Sequence, residues 1–440
     1  MKIAPKLFCF GILFLYIYSI NFSFLPISLG SRVYLSMAGF GIMAARLCVG
    51  ARLQFLTGKF GNMMAALVAI TLLSIMSILV NQTTDLEFVK YFVSMMLIVA
   101  ASYFVSFAFS RTYRQDTARY LMFTMIACVS LQCMLAIVLF VSEPIKELLM
   151  SLINASEVEA DLISSTGEFR LVGFGSTFFG AGITNGITLL LIAFCVRYHV
   201  KTRAGASVLG VAFLFIGIVG LLMSRTTAVG LLLALLYILL SMLSGRRSGP
   251  AWHGGRFLAS LGVAILVGLA AAFTVIDFSV IEPMLNWAFE PVINYFTGDG
   301  LTSESTDQLL DMYGGINFGA LPWAIGDAMF YDPYEAGTYY MHVDVGYLRL
   351  IFYFGLPGLL LYFFFQLRAI TATLPFFKFD KFFVWFVVLD LILLNFKGFA
   401  DFFVFSILFF MCHFLSVPAK GTPRPSTNFS PYAPAGAPAV

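Results

Sequence analysis

The chain has 440 residues, of which 60% are hydrophobic and only 11% are charged, and its mean hydropathy is +0.92. A soluble domain carries about 25% charged residues. Charges this sparse cannot cover a soluble globule, so the composition excludes a soluble enzyme, a disordered protein and a nucleic-acid-binding protein. The formal net charge of +3 is too small to indicate a polyanionic partner by itself.

Apolar segments dominate the chain from its start to about residue 416. A membrane-spanning helix needs roughly 17–25 mostly apolar residues, and about twelve segments approach that length. They lie near 7–25, 33–51, 62–80, 89–109, 120–141, 178–197, 206–223, 227–244, 257–276, 345–365, 382–396 and 399–416. The last two are short and closely joined, which favours a tight hairpin. The sequence therefore predicts an all-α polytopic membrane domain over 1–416.

The basic residues predict how this domain is oriented. Nineteen of the 26 Lys and Arg residues fall in loops on one side of the twelve alternating spans. Positively charged loops mark the cytoplasmic side of a membrane protein, so both termini are predicted to be cytoplasmic. The tail 417–440 is rich in Pro, Ala, Ser and Thr, which predicts a disordered cytoplasmic segment.

Two long loops on the opposite, periplasmic side are acidic. The loop 142–177 holds six carboxylates, and the loop 277–344 holds eleven carboxylates and neither Lys nor Arg. Connections of this length are usually functional or disordered. Trp287, Trp323 and several Tyr favour a folded lid with aromatic side chains that stack on carbohydrate, whereas an interfacial aromatic belt is the alternative.

A few cations lie at the acidic side, close to the ends of the predicted spans. Ionisable groups at membrane depth are costly and usually functional. Arginine matches phosphate oxygens through its planar fork of donors, and several converging cations suit a diphosphate. The sequence therefore predicts one anionic ligand at the outer mouth of the membrane domain. Its four candidate binding residues are Arg170, Arg225, Arg349 and Lys397.

Structural roles are the alternatives for two of these cations. Arg225 lies in a tight Met-Ser-Arg-Thr-Thr turn and could cap carbonyl groups at a helix end. Lys397 could pair with Asp401, four residues later. Asp390, about two turns before Lys397, is predicted to face the same interior.

Two further residues precede the span near 345–365. His342 is the only histidine on the acidic side, and it would share a helix face with Arg349 if the helix began early. A histidine beside Asp, Tyr and Arg at a membrane mouth favours a role in the site. Asp344 is either a site residue or the N-cap of this helix.

Four segments of the chain carry a resemblance to a known family. They are Leu-Leu-Met-Ser-Arg-Thr-Thr-Ala-Val-Gly-Leu-Leu at 221–232, Asp-Val-Gly-Tyr-Leu-Arg-Leu-Ile-Phe-Tyr-Phe-Gly-Leu-Pro-Gly at 344–358, Leu-Asn-Phe-Lys-Gly at 394–398 and Arg-Leu-Val-Gly-Phe-Gly at 170–175. Their order, with the spans and the two loops, resembles Wzy-type O-antigen and exopolysaccharide polymerases. The related O-antigen ligases usually have His-Asn where this chain has Asp-Val-Gly-Tyr at 344–347, which favours a polymerase.

The resemblance implies a glycosyltransferase of the GT-C-like kind in the bacterial inner membrane. Its donor would be a growing glycan on undecaprenyl diphosphate, and its acceptor would be one repeat unit on the same carrier, joined into O-antigen, capsule or exopolysaccharide. The resemblance implies no nucleotide sugar, no metal and no other cofactor. The lipid bilayer is a second expected partner, and a polysaccharide chain-length regulator is a further partner that the resemblance suggests.

The residue chemistry is consistent with this reaction. A diphosphate leaves with negative charge, so positioned cations stabilise the transition state, and the attacking hydroxyl needs a proton acceptor within hydrogen-bonding reach. The expected diphosphate-binding residues are Arg170, Arg225, Arg349 and Lys397, and the expected proton acceptor is His342 first and Asp344 second.

Three other functions remain open at this stage. An O-antigen ligase would transfer finished glycan to the lipid A core. A carrier or flippase for lipid-linked solutes would place charged residues near the membrane midplane on several helices. A structural membrane protein would leave Arg225, Arg349 and Lys397 without a role.

Overall fold

A computed structural model gives the fold of the chain. It describes residues 3–25, 29–51, 53, 55–154, 170–175, 178–200, 202–243, 255–263, 278–298, 300, 302–317, 319, 321–335 and 337–416. Within these ranges the structure is α-helical, and only isolated β-bridges occur besides the helices. The predicted tail at 417–440 and most of the predicted span near 257–276 lie outside the described residues, although 255–263 is helical.

Most of the helices coincide with apolar segments of the sequence, whereas α6, α10 and α11 lie within the two predicted loops. Their bounds are α1 Ile3–Tyr18, α2 Ser31–Cys48, α3 Gly58–Asn81, α4 Glu87–Tyr113, α5 Thr117–Val141, α6 Glu143–Ser151, α7 Phe178–Tyr198, α8 Arg203–Met223, α9 Thr227–Leu243, α10 Phe278–Thr297, α11 Glu304–Gly314, α12 Gly346–Ala372, α13 Lys381–Asn395 and α14 Phe403–Ser416. Capping side chains fix several starts, since Thr202 accepts a hydrogen bond from the Gly205 N–H and Asp380 accepts one from Phe383.

The prediction of a helical membrane protein is confirmed in its general form. In the part of the chain that the structure describes, six helices (α3, α4, α5, α7, α8 and α12) are long and apolar enough to cross a membrane. Three shorter apolar helices, α1, α9 and α14, accompany them. The number of twelve crossings and the orientation of the termini stay predictions.

The centre of the helical bundle is α7, in which every residue from Ala181 to Arg197 is buried. It packs against α5, α8, α9 and α13. Its contact with α9 is so close that a Cβ atom on Gly230 would collide with the backbone of Gly186. Small residues let two helix backbones approach at such a crossing, and this is a common way for helices to associate within a membrane.

Successive helices place their connections at two opposite ends of the bundle. We call one end the cavity end; it holds the connections α1–α2, α3–α4, α8–α9 and α13–α14 and the start of α12. Hydrogen bonds between different segments hold this end together, such as the one from the Leu171 N–H to Leu222 O (3.0 Å). We call the other the cationic end; it holds the connections α2–α3, α4–α5, α7–α8 and α12–α13. There Arg197 pairs with Asp380.

The described part of the long loop before α12 is folded onto the cavity end. It contains α10 and α11 and an irregular segment that enters a kink of α12 at Gly355, whose φ is +72°. The kink leaves backbone groups of α12 free to bond the loop. The Leu356 N–H donates to Trp323 O (2.8 Å), and the Asp327 N–H donates to Phe352 O (2.5 Å). We call this segment and its two helices the lid; the stacking of its aromatic side chains on carbohydrate stays a prediction.

Candidate functional site

A cavity of about 220 Å³ opens at the cavity end, between the bundle and the lid. Three of the four predicted cations line it, each carried by a different connection of the bundle. Asp344 also lines this cavity. The three cations are Arg170, Arg225 and Lys397. The polar lining consists of Ser224, Thr226, Ser305 and Gln308. The apolar and aromatic lining consists of Phe178, Phe179, Trp287, Leu309 and Met312.

Arg225 is held in the turn between α8 and α9 by the lid. Its Nη2 donates to a carboxylate oxygen of Glu290 (2.5 Å), and its Nε donates to the Trp287 carbonyl (2.8 Å). Its Nη1 donates to the Ser305 hydroxyl (3.1 Å). The predicted alternative, capping of carbonyls at the end of α8, does not occur. The side chain is only 11% exposed, so these contacts are largely shielded from water.

Arg170 lies close to Arg225, because both guanidinium groups pack on the indole ring of Trp287. Its guanidinium carbon lies 4.3 Å from the ring centre of Trp287, and that of Arg225 lies 4.5 Å from the same ring. Cations within about 6 Å of an indole face are attracted by the ring quadrupole. Among the described residues, no carboxylate lies within ion-pair distance of Arg170. Burial, with a smaller contribution from Arg225, lowers the pKa of Arg170.

Lys397 enters the cavity from the turn between α13 and α14. Asn395 holds this turn, because its amide donates to Ala400 O (3.2 Å) and accepts from the Ala400 N–H (3.3 Å). The lysine Nζ lies 3.5 Å from the Ser305 hydroxyl, which also bonds Arg225. Burial, with smaller contributions from the neighbouring Arg225 and Arg170, lowers the pKa of Lys397 to about 8.

The predicted pair between Lys397 and Asp401 does not form. Asp401 instead accepts hydrogen bonds from the Tyr91 hydroxyl (2.7 Å) and the Gln366 amide (2.8 Å). Asp390, expected to face the same interior, is fully buried within α13 and does not line the cavity. Lys397 is thus free of the partner that would have given it a purely structural role.

Asp344 lies at the cavity with its side chain 56% exposed. The N-cap position of α12 is Val345, so Asp344 does not cap the helix. Partial burial raises the pKa of Asp344 above its ordinary value, while Arg349 and Lys397 oppose that shift. A carboxylate with a raised pKa is a better proton acceptor than an ordinary surface carboxylate.

Arg349 does not line the cavity, and instead it contacts Asp344, which does. Its Nη1 donates to the Asp344 carboxylate (3.3 Å), and the side chain is 7% exposed. The guanidinium carbon lies 3.5 Å from the ring centre of Tyr339 and 4.0 Å from that of Phe330. The structure therefore gives Arg349 a role in orienting Asp344, rather than the direct contact with ligand that the sequence suggested.

His342 lies outside the cavity lining. Its side chain is 69% exposed, and its Nδ1 is 3.8 Å from a carboxylate oxygen of Glu335. The helix α12 begins only at Gly346, so His342 and Arg349 do not share a helical face. Of the two predicted proton acceptors, the geometry favours Asp344.

Sequence reasoning missed two residues that shape the site. Glu290 is one of eleven carboxylates in its loop, and nothing in its neighbourhood distinguishes it from the others. Ser305 lies in the first turn of α11, which Ser303 caps by accepting a hydrogen bond from the Thr306 N–H (3.2 Å). The Ser-x-x-Thr spacing and the acidic residues after it could have predicted that helix start, but not its position between two cations.

The arrangement can bind an anion that carries more than one charge. Three cations and several hydroxyl donors face a cavity with a single carboxylate in its lining, and apolar side chains complete that lining. Arginine and lysine in a partly dehydrated site bind phosphate oxygens through short charge-assisted hydrogen bonds. In the described residues no group of three or more His, Cys, Asp or Glu side chains could hold a metal ion.

Comparison of the chain with family models, with curated proteins and with solved structures finds no match.

Proposed function

We propose that the chain is a membrane-embedded glycosyltransferase that transfers a glycan from a lipid diphosphate to a sugar hydroxyl, and that it polymerises oligosaccharide repeat units carried on undecaprenyl diphosphate. The observation that carries the proposal is the convergence of Arg170, Arg225 and Lys397 on one cavity that also presents Asp344. The resemblance of the four sequence segments to Wzy-type polymerases supplies the particular reaction.

The electrostatics of the cavity suit the leaving group. When the anomeric carbon–oxygen bond breaks, the electron pair stays on the diphosphate oxygen and negative charge develops there. Cations fixed in advance around that oxygen stabilise the transition state more than the ground state. The hydrogen bond from Arg225 Nε to the Trp287 carbonyl already orients the guanidinium group at the cavity, so Arg225 loses little freedom when it binds the diphosphate.

Asp344 is the proton acceptor in this proposal. The acceptor sugar hydroxyl attacks the anomeric carbon, a new carbon–oxygen bond forms, and the hydroxyl proton passes to the Asp344 carboxylate. Arg349 holds that carboxylate from behind through a 3.3 Å hydrogen bond. A carboxylate that is oriented and raised in pKa serves as a general base.

The surroundings of the cavity favour a lipid-linked anion over a free one. Phe178 and Phe179 of the bundle and Leu309 and Met312 of the lid line it. The lid helix α10 exposes Phe289, Val292 and Phe296, the last of them 82% exposed. Spaced three to four residues apart, these side chains form one apolar face of the kind that lies at a membrane surface.

A carrier or flippase receives less support. It predicts charged groups near the midplane on several helices. On the described bundle helices, Asp390 lies five residues from the nearest helix end, deeper than any other Asp, Glu, Lys or Arg. The other buried charges of these helices lie within four residues of a helix end.

The test is polysaccharide length in a strain that lacks this chain, complemented with wild-type or variant protein at matched protein level. Arg225→Ala is expected to leave single repeat units and to abolish long polymer, and Glu282→Gln, an exposed carboxylate change on the same lid helix, is expected to restore normal length. Loss of attachment with intact chain length would indicate an O-antigen ligase. Normal polymer from Arg225→Ala would contradict the proposal.

A further inference from the structure

Glu290 bonds the donors that an anionic ligand would use. One of its carboxylate oxygens accepts from Arg225 Nη2 (2.5 Å), and the other accepts from the backbone N–H of Glu304 (2.8 Å). Glu304 is the first residue of α11, an eleven-residue helix. An arginine fork together with a helix N-terminal amide is the donor set that proteins use for phosphate groups.

Ser305 lies between Arg225 and Lys397, where it also engages groups that an anionic ligand would use. Its hydroxyl accepts from Arg225 Nη1 (3.1 Å) and lies 3.5 Å from Lys397 Nζ. Lid groups therefore engage all three nitrogens of the Arg225 guanidinium through oxygen atoms, with Glu290 supplying the negative charge. Lys397 and Arg170, in contrast, have no carboxylate within ion-pair distance among the described residues.

We propose that Glu290 is an internal competitor that occupies one phosphate position of the site, and that a lipid diphosphate displaces it when it binds. This inference rests on the proposed function, because it takes the diphosphate as the ligand of the three cations. A diphosphate brings more negative charge than one carboxylate, and it can reach Lys397 and Arg170 as well. Arg225 is therefore paired with an anion both before and after the exchange.

The position of Glu290 couples this exchange to the lid. Glu290 lies on α10, and Trp287 on the same helix bonds Arg225 through its carbonyl (2.8 Å). Glu290 also holds the start of α11. A ligand that takes over Arg225 therefore releases an anchor of α10. Glu290 makes the site selective, since a singly charged anion offers too little charge to displace a carboxylate that is already oriented.

The experiment measures binding of farnesyl diphosphate and inorganic pyrophosphate to the purified full-length chain in lipid nanodiscs. Glu290→Gln keeps an oxygen that can accept from the Glu304 N–H but removes the competing charge. Its affinity for both probes is expected to rise about five- to tenfold, the effect of a partly buried ion pair worth roughly 1 kcal/mol. Glu282→Gln, with its exposed side chain, is the matched control and is expected to leave affinity unchanged.

The outcomes separate this inference from the proposed function. Absence of binding to the wild-type chain would contradict the diphosphate site itself. Wild-type binding that is unchanged or weakened by Glu290→Gln would overturn the inference alone, because Glu290 would then merely position Arg225.

A measurement on the wild-type chain covers the case in which the variant does not fold. Backbone hydrogen exchange over 284–297 is expected to become faster when pyrophosphate binds, because α10 loses its anchor on Arg225. Unchanged or slower exchange there, with binding demonstrated, would overturn the inference.

Discussion

The two ends of the bundle each hold an arginine–carboxylate pair, and the two pairs differ in their surroundings. At the cationic end, Arg197 and Asp380 lie 3.4 Å apart with both side chains 6% exposed. At the cavity end, Arg225 and Glu290 have side chains that are 11% and 27% exposed. The first pair is closed on all sides, whereas the second borders a cavity with two further cations.

The Arg197 pair is satisfied by its own neighbours. One oxygen of Asp380 accepts from Arg197 and from the hydroxyl groups of Tyr198 and Tyr237 (2.8 Å each). Arg197 also donates to the Ser241 hydroxyl (3.0 Å). A buried charge pair of this kind joins α7, α9 and α13. A buried arginine in a membrane bundle is therefore structural where the protein completes its hydrogen bonds, and it is a candidate for ligand binding where it faces a cavity with excess positive charge.

The largest expected effect at the cavity end concerns chemistry and not stability. Asp344→Asn removes the proton acceptor but keeps the size of the side chain, so turnover is expected to fall about 10²- to 10⁴-fold, the usual contribution of a general base. The variant should still bind pyrophosphate, because the substitution removes a negative charge from the cavity lining and leaves its three cations in place. Single-turnover transfer assays with purified chain check this, with the exposed lid residue Asp307→Asn as the control. Turnover of Asp344→Asn near the wild-type rate would remove Asp344 from the reaction.

The cationic end should respond in the opposite way. Arg197→Met leaves Asp380 buried without its cation, and loss of one partner of a buried pair destabilises by about 3–5 kcal/mol. Thermal unfolding in detergent should show a clear drop in midpoint, while the protein that remains folded binds pyrophosphate normally. Arg203→Met, an exposed change at the start of α8, is the control. A stable Arg197→Met protein that fails to bind pyrophosphate would erase the distinction between the two ends.

A smaller effect should appear in the pH dependence of binding. The pKa of Lys397 is lowered to about 8, so the lysine is charged below that pH and loses its charge above it. The contact between the charged Lys397 and bound pyrophosphate is worth roughly 1 kcal/mol, which corresponds to about fivefold in affinity. Pyrophosphate affinity should therefore be highest below about pH 7 and fall by about fivefold between pH 8 and 9.

Lys397→Arg provides the control for this measurement, because arginine stays charged throughout. The ratio of wild-type to Lys397→Arg affinity removes the titration of pyrophosphate itself. A ratio that does not change between pH 6 and 9 would show that Lys397 does not face the bound anion.

The smallest effect is expected at His342. The histidine is 69% exposed and lies outside the cavity lining, so His342→Ala should change turnover and pyrophosphate affinity by less than about twofold. The same transfer assay measures it. A loss as large as that of Asp344→Asn would restore His342 as the proton acceptor and would require the lid to move it into the cavity.

The sequence predicted the helices well, because an apolar run of about twenty residues has few alternatives in a bilayer. It also indicated which cations face the acidic end, and three of these meet in one cavity. It could not separate Arg349 from them, since orientation around the start of α12 depends on how Tyr339 and Phe330 pack on that side chain.

Two other features were beyond the sequence for related reasons. In the sequence Arg197 is one more cation at the end of an apolar segment, but its partners come from α9 and from Asp380, the N-cap residue of α13. Glu290 carries the same charge as its neighbours in the lid, so only its contact with Arg225 distinguishes it. Long-range pairing of this kind depends on tertiary structure and leaves no local pattern.

The most direct test of the account is a cryo-electron microscopy structure of the full-length chain in nanodiscs with farnesyl diphosphate. The account predicts diphosphate density between Arg170, Arg225 and Lys397. Asp344 should face the terminal phosphate, the one that would carry the glycan in a donor, and the prenyl chain should leave past Phe178 and Phe179. Diphosphate density at another place, or an empty cavity with the lid unchanged at saturating ligand, would contradict it.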